Sequence, residues 1–341
     1  MHRKIEFGCL PTAIGSMPHV DPQEAIRLVV RYLSEVPAWP QLPRRAHTEN
    51  MYAQFSEGFP GVLLDDSSHL SLDRTQDLDS GLEKLHLSYL DHNPDGYDIS
   101  REYAAGLHTF LEAKGAPLAV KGQVTGPISW GLSMIDQGRY AIYDDGLAEA
   151  MARHLALKAG WQEQALSEVC QTTIIFVDEP YLTSLGSAFV SLPAEKVSGL
   201  LAQTLAGIRG LRGVHCCGST DWSLVLGLPI DILSFDTYNY AGSLAAYTDE
   251  VQKFLSRGGT VAWGAIPNDE ESLSSERIAS LRERLEEALA QFVSPHLTFR
   301  QLARQSLITP ACGLATLSYD AAEQVLGYLR DLSADMRTRY V

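Results

Sequence analysis

The sequence lacks the features that would place this protein in a membrane or outside the cell. None of its apolar runs approaches the roughly 18 residues of a membrane-spanning helix, and residues 1–6, MHRKIE, lack the apolar core of a secretion signal. Only 5 of its 341 residues are cysteine, an odd number that does not suit a disulfide framework. These absences predict a soluble, cytoplasmic protein whose thiols are reduced or bound to metal.

Positive charge is also scarce. The chain has 27 Lys and Arg residues against 42 Asp and Glu, which gives a formal net charge of -15. Such a surface repels a phosphate backbone, so nucleic-acid binding is excluded as a function class. Hydrophobic residues make up 45% of the chain, which is enough for one large core, and a single domain over residues 1–341 is predicted.

What the sequence does contain is an alternation of helix and strand patterns. Asp21 before Pro22 is typical of a helix start, and helical periodicity predicts helices over residues 22–36, 98–114, 146–170, 193–208, 219–226, 243–257, 276–292 and 318–338. Short apolar runs predict eight strands, over residues 8–14, 61–64, 117–124, 172–178, 212–217, 231–236, 260–266 and 305–309. Three prolines within residues 37–43 predict an extended surface connector.

Strands that are separated by helices or long loops indicate a parallel sheet, and eight of them favour an α/β fold, a closed (β/α)8 TIM barrel. An open doubly wound sheet is the alternative, but no Gly-x-Gly-x-x-Gly motif follows the first predicted strand. In a barrel the carboxyl ends of all strands open onto one rim, where catalytic residues lie. The residues that end each strand are therefore the candidates for function.

The fifth and eighth predicted strands end in residues that can bind a metal. His215 and Cys217 are two positions apart, so both point to the same face of their strand while Cys216 points to the other. Cys312 follows the last strand, and its side chain can reach the same rim. One nitrogen and two sulfur donors suit zinc and leave a fourth position open, as in catalytic sites. A core histidine and buried cysteines without metal are the alternative.

Other polar residues also end predicted strands. Asp178 and Glu179 close the fourth strand, where carboxylates either contact a ligand or face water and cap a helix. Ser16 follows Ile14-Gly15, where a Gly-Ser pair lets backbone amides approach a carboxylate or simply begins a turn. Each signal leaves both readings open.

Five segments together, in this order, resemble the catalytic barrel of cobalamin-independent methionine synthase. They are Ile14-Gly15-Ser16, the run of residues 121–127 (KGQVTGP), Val177-Asp178-Glu179-Pro180, His215-x-Cys217 and Pro310-Ala311-Cys312-Gly313-Leu314. The resemblance spans nearly the whole chain and implies a zinc enzyme that methylates the thiol of homocysteine. It implies zinc ligation by His215, Cys217 and Cys312, contact of Asp178 with the substrate amino group, contact of Ser16 with its carboxylate, and Glu179 as a neighbouring substrate contact.

Two departures from that family qualify the resemblance. The synthases carry a glutamate as a further zinc ligand where this chain offers the shorter Asp236. They also have an additional N-terminal barrel that helps to bind a folate donor, for which this chain has no room. The chain therefore resembles the short core synthases, and methylcobalamin or a methylated corrinoid protein is the expected methyl donor.

Three other functions remain as alternatives. A thiol methyltransferase of the coenzyme M type would need a cation for the sulfonate, whereas the Asp178-Glu179 pair favours an ammonium group. A metal-free decarboxylase similar to uroporphyrinogen decarboxylase would need several arginines at the cavity, and Arg44-Arg45 alone do not supply them. A scaffold or corrinoid-binding protein with a structural zinc would need a fourth protein ligand that closes the site.

Overall fold

The computed structural model describes residues 5–187 and 190–341. The strands are β1 (Leu10–Pro11), β2 (Val62–Leu64), β3 (Leu70–Leu72), β4 (Val120–Thr125), β5 (Met134–Asp136), β6 (Arg139–Tyr140), β7 (Thr173–Asp178), β8 (Leu211–Cys216), β9 (Ile232–Phe235), β10 (Thr260–Ile266) and β11 (Ser306–Pro310). The α-helices are α1 (Pro22–Tyr32), α2 (Leu78–Leu90), α3 (Ala105–Leu111), α4 (Pro127–Ser133), α5 (Asp145–Ser167), α6 (Ala194–Leu205), α7 (Trp222–Gly227), α8 (Thr237–Ala245), α9 (Thr248–Ser256), α10 (Glu270–Ser275), α11 (Ile278–Ala290), α12 (Phe299–Arg304) and α13 (Tyr319–Tyr340). Short 3-10 helices lie at His47–Glu49, Ala141–Tyr143 and Pro180–Ser184.

Seven strands form one sheet in the order β1-β11-β10-β9-β8-β7-β4. Every neighbouring pair in this sheet is parallel, because helices intervene between strands that follow one another along the chain. The predicted α/β class with a parallel sheet is confirmed. The sheet curls in a way that is consistent with a TIM-like barrel, although it contains seven regular strands rather than the eight predicted.

The second predicted strand does not belong to this sheet. β2 pairs antiparallel with β3 and forms, with β5 and β6, a separate four-stranded sheet. The turn between β2 and β3 is closed by the Asp65 carboxylate, which accepts hydrogen bonds from the backbone of Ser67 (2.8 Å) and His69 (2.9 Å). The prediction of a barrel strand here was wrong, because three apolar residues before a tight turn form a hairpin equally well.

The proline-rich connector, residues 37–43, lies between the two edge strands of the large sheet, β1 and β4. Parallel bridges join Gln41 to Ser16 beyond β1, and Ala38 to Lys121 of β4. The backbone amide of Trp39 donates to Lys121 O at 3.1 Å, and that of Gln41 donates to Gly15 O at 3.1 Å. The prediction of a surface connector was wrong, since Trp39 is fully buried. Prolines keep the backbone extended while the residues between them supply the amide donors.

The side chains of the large sheet pack into two separate clusters, one on each face. Ile175 and Val177 of β7 pack in the larger cluster with residues of the surrounding helices. Ile174 and Phe176 lie in a small cluster that also contains Leu10 of β1. Because β1 and β7 are separated by four strands in the sheet, this small cluster must lie on the concave side. Apolar residues thus fill the part of the interior near the amino ends of the strands, and polar groups lie at the carboxyl ends.

The first helix begins as predicted but ends early. The Asp21 carboxylate accepts a hydrogen bond from Gln23 N at 2.9 Å, and α1 ends at Tyr32 rather than at residue 36. Leu33 already leaves the helical conformation, with φ -122° and ψ 43°, and Pro37 keeps the residue before it out of a helix as well. Among the residues that the structure describes, no helix is long and apolar enough to cross a membrane.

Candidate metal centre and substrate pocket

His215 lies at the end of β8, and among the described residues only one of its two ring nitrogens forms a hydrogen bond. It is the register partner of Asp178 on β7 and of Ser234 on β9. Its Nδ1 lies 3.0 Å from Ser234 Oγ. Its Nε2 is buried and has no hydrogen-bond partner among the described residues. A buried ring nitrogen without a partner is costly unless it binds something else.

Cys217 and Cys312 bring two sulfur atoms to this nitrogen. The ligand atoms of His215, Cys217 and Cys312 all lie within 4.8 Å of one another, as predicted for a metal centre. The neighbouring Cys312 thiol and the His215 imidazole lower the pKa of Cys217, whereas Cys217 and burial raise the pKa of Cys312. Cys216 packs in the larger apolar cluster, which lies between the sheet and the helices and is called the helix-side cluster below. Burial raises the pKa of Cys216 to about 12. The strand alternation therefore separates the two adjacent cysteines, as predicted.

The donor set fits a zinc ion. Zn–S bonds of about 2.3 Å and Zn–N bonds of about 2.0 Å in a tetrahedron separate neighbouring donor atoms by roughly 3.5 Å, a distance compatible with the limit of 4.8 Å in this cluster. One imidazole and two thiolates are also donors that zinc prefers over calcium or magnesium. Three protein donors leave one tetrahedral position for another ligand.

Asp236, predicted as a further metal ligand, lies outside this group of three. Its Oδ1 accepts a hydrogen bond from Asn239 N at 2.9 Å, and its Oδ2 accepts one from the Asn239 side chain at 2.8 Å. Asp236 is thus the N-cap of α8. Burial is the largest influence on its carboxyl group and raises its pKa. Both carboxylate oxygens therefore accept hydrogen bonds from Asn239 in the first turn of α8.

Asp178 lies beside His215, Cys217 and Cys312. Its side chain is 7% exposed, and its Oδ1 has no hydrogen-bond partner among the described residues. Burial raises its pKa, while the positive charge of Lys121 opposes that shift. A buried carboxylate with a free oxygen is suited to receive a cationic group of a ligand.

Lys121 and Gln123 support the loop that carries Ser16. The buried Lys121 ammonium donates to Ile14 O at 2.6 Å and to Gln123 Oε1 at 3.2 Å. A Cβ atom at Gly15 would come within 2.6 Å of the Gln123 amide, and the φ of Gly15 is +152°, so a glycine is required there. Burial lowers the pKa of Lys121, and the charge of Asp178 opposes this. Lys121 belongs to the run of residues 121–127 that carries the family resemblance.

Ser16 lies at the rim beside the segment that carries Cys312. Its backbone carbonyl accepts a hydrogen bond from Leu314 N at 2.9 Å. Its hydroxyl lies so close to Gly313 that this position has no room for a Cβ atom. The structure therefore brings Ser16 next to the segment that carries Cys312.

Glu179 does not share the pocket with Asp178. Its Oε1 accepts a hydrogen bond from Ile128 N at 2.9 Å, and its Oε2 accepts one from Ser129 N at 2.9 Å and one from Ser129 Oγ at 2.6 Å. Burial raises its pKa to about 7 against these hydrogen bonds. A strand residue that follows Asp178 points to the opposite face, so Glu179 fixes the start of α4. Its predicted contact with substrate has no support in this geometry.

Three side chains near the site were not anticipated. Tyr52 and Tyr181 lie with their ring centroids 6.4 Å apart. Burial is the largest influence on the Tyr52 hydroxyl and raises its pKa, and the charges of Tyr181, Glu179, Cys217 and Cys312 raise it further. Tyr52 follows no helix or strand pattern, so the sequence gives no signal for it. Ser234, in contrast, could have been found from strand alternation, because it lies two residues before Asp236.

Comparison with known proteins finds similarity in structure only. No protein-family model matches the chain, and no curated protein matches its sequence. A solved structure of a B12-independent methionine synthase from Shewanella sp. W3-18-1, in complex with selenomethionine, superposes with a TM-score of 0.60 at 18% identity over 97% of this chain and 98% of that one.

Two further structures are similar to a comparable degree. A candidate vitamin B12-independent methionine synthase from Listeria monocytogenes gives a TM-score of 0.56 at 16% identity, over 92% of this chain and 85% of that one. A methyltransferase from Methanosarcina mazei gives 0.57 at 13% identity, over 92% and 86%. At these identities the likeness establishes a shared fold, which extends over nearly the whole of this chain.

Proposed function

We propose that this protein is a zinc-dependent methyltransferase that transfers a methyl group to the thiol of homocysteine and forms methionine. The observation that carries the proposal is the convergence of His215, Cys217 and Cys312, together with the buried and otherwise unpartnered Nε2 of His215. The fold that the chain shares with two methionine synthase-like proteins and a methyltransferase supports it.

The chemistry of the proposal depends on an open position beside three protein donors. A free thiol has a pKa of about 8.5 and is mostly protonated at neutral pH, whereas zinc, when bound here, would hold the substrate sulfur as a thiolate. Cys217 and Cys312 as thiolates balance the charge of the ion and leave the substrate sulfur electron-rich. We omit Asp236 from the proposed ligands, because Asn239 occupies both of its oxygens.

The remaining pocket residues would hold the amino-acid part of the substrate. Asp178 would accept hydrogen bonds from the substrate ammonium through its free Oδ1, and Ser16 would donate to the substrate carboxylate. Lys121 supports both, since its charge stabilises ionised Asp178 and its hydrogen bond to Ile14 O holds the Ser16 loop. Fixing a substrate in the attack geometry can lower a barrier by several kcal/mol.

The same pocket disfavours the alternative substrates. A substrate with a sulfonate, as in the coenzyme M type of reaction, would place a negative charge near the buried Asp178 carboxylate, which costs energy in a low-dielectric site. A metal-free decarboxylase has no use for two thiols that converge on an imidazole. Homocysteine offers both a thiol for the open position and an ammonium group for Asp178.

We further propose that the methyl donor is methylcobalamin or a methylated corrinoid protein. The purified protein should form methionine from homocysteine with methylcobalamin and should form none above background with methyl-folate. Product formation with each donor is followed by chromatography of the amino acids, at equal enzyme and donor concentrations. Replacing homocysteine with coenzyme M in parallel reactions tests the acceptor.

Each outcome of this assay has a separate meaning. Equal rates with methyl-folate would overturn the donor assignment and leave the acceptor assignment intact. Methylation of coenzyme M but not of homocysteine would overturn the acceptor assignment. Omission of enzyme measures the uncatalysed reaction, and the Cys217→Ala variant serves as the enzyme control.

A further inference from the structure

We infer that Ser234 is a positioning residue that sets which nitrogen of His215 is available to the metal. This inference rests on the proposed zinc site and deepens it, because it concerns a side chain that does not itself bind the ion. Ser234 lies on β9 directly opposite His215 of β8 in the register of the parallel sheet. Its Oγ lies 3.0 Å from His215 Nδ1.

The surroundings of Ser234 leave its hydroxyl few other partners. The residue has no exposed surface, and among the described residues only His215 forms a hydrogen bond with its side chain. Its neighbours Leu233 and Phe235 pack in the helix-side cluster, while Ile232 lies in the concave apolar cluster. Alternation therefore places the Ser234 hydroxyl on the concave face, above apolar side chains and next to the histidine.

The two neutral tautomers of His215 have opposite consequences for metal binding. With the proton on Nδ1, the ring donates a hydrogen bond to Ser234 Oγ, and Nε2 keeps its lone pair for a metal. With the proton on Nε2, the serine hydroxyl donates to Nδ1, and the N–H group points toward the two sulfurs. Binding of an ion at Nε2 therefore requires the proton on Nδ1, for which Ser234 Oγ is the acceptor, and the hydrogen bond also fixes the plane of the ring.

The location of the serine on a strand makes it an effective support. β8 and β9 are adjacent strands of the parallel sheet, so the distance between the two side chains depends on the sheet and not on a mobile loop. Removal of a hydrogen-bond partner behind a metal-binding histidine typically weakens metal affinity about 10- to 100-fold. The same range is expected for this pair, with the ligands themselves unchanged.

The test compares zinc affinity in three variants of the full-length protein. Ser234→Ala should bind zinc about 10- to 100-fold more weakly than wild type in competition with a chromophoric chelator. Ser234→Thr, which retains the hydroxyl, should bind more tightly than Ser234→Ala. Ser306→Ala is the matched control, because Ser306 is also a buried strand serine but bonds to Leu302 O and Trp263 Nε1. It should bind zinc as wild type does.

A second measurement reports on the tautomer without relying on affinity. Nitrogen-15 NMR of the zinc-loaded wild-type protein should show His215 protonated at Nδ1. Equal zinc affinity of Ser234→Ala and wild type, or a proton on Nε2 in the zinc-loaded protein, would overturn the inference while the zinc site stands. A wild-type protein that binds no zinc would instead overturn the proposed function, and this inference with it.

Discussion

Replacement of Cys217 by alanine should abolish both zinc retention and methyl transfer. A four-ligand protein zinc site is worth roughly 10–16 kcal/mol, so loss of one thiolate should cost about 3 kcal/mol or more, on the order of a 100-fold loss of affinity. Cys312→Ala should behave in the same way, because both sulfurs lie in the cluster with His215. Zinc per chain after dialysis and the rate of methionine formation are the two quantities to measure.

Two control variants make this result specific. Cys216 is adjacent in sequence but packs in the helix-side cluster, so Cys216→Ala should keep its zinc and its activity. Asp236→Asn should also keep its zinc, since asparagine can still cap α8. Zinc loss in Asp236→Asn would show that Asp236 is a fourth ligand, and wild-type zinc content in Cys217→Ala would contradict the proposed centre.

Asp178→Asn should impair homocysteine use while leaving zinc in place. The variant removes the negative charge that would pair with the substrate ammonium, and loss of one member of a buried charge pair typically costs about 2–5 kcal/mol. We therefore expect kcat/KM for homocysteine to fall by a factor between about 30 and about 5,000. Steady-state kinetics with variable homocysteine, alongside zinc analysis, measures both properties.

The acceptor thiol itself provides the control for Asp178. A simple thiol without an amino group, such as mercaptoethanol, cannot use the carboxylate, so Asp178→Asn should methylate it at the wild-type rate. An equal loss with both acceptors would indicate that Asp178 acts on the metal centre instead of on the ammonium group. Unchanged kinetics with homocysteine would remove Asp178 from the substrate site.

The parallel part of the fold could be predicted because it depends on local patterns. Apolar runs such as residues 172–178 and 260–266 became strands β7 and β10 within a residue or so, since a buried parallel strand is apolar on both faces. Local patterns could not distinguish the hairpin strand Val62–Leu64 from a strand of the parallel sheet. Its pairing depends on the turn at Asp65 and on contacts with β5, far along the chain.

Local sequence patterns also could not predict where the proline-rich connector lies. A run with three prolines predicts extended backbone but not burial, and its burial follows from the gap between β1 and β4 that it occupies. That gap exists only once the sheet has curled. Tertiary structure therefore decides the role of this segment.

For the candidate site, strand alternation was the most informative signal. It separated Cys217 from Cys216 and, applied to Asp178-Glu179, it would also have separated the pocket carboxylate from the one that holds α4. Asp236 shows the limit of the method, because a residue that follows a strand can equally well cap the next helix. Tyr52 comes from an irregular segment, and its contact with Tyr181 is visible only in three dimensions.

The most direct test of the central claim is X-ray absorption at the zinc edge, with and without homocysteine. The purified protein should contain about one zinc per chain, with two sulfur neighbours at about 2.3 Å and nitrogen or oxygen neighbours at about 2.0 Å. Addition of homocysteine should raise the number of sulfur neighbours from two to three. A zinc shell that stays unchanged with saturating homocysteine, or that already consists of four protein ligands, would contradict the account.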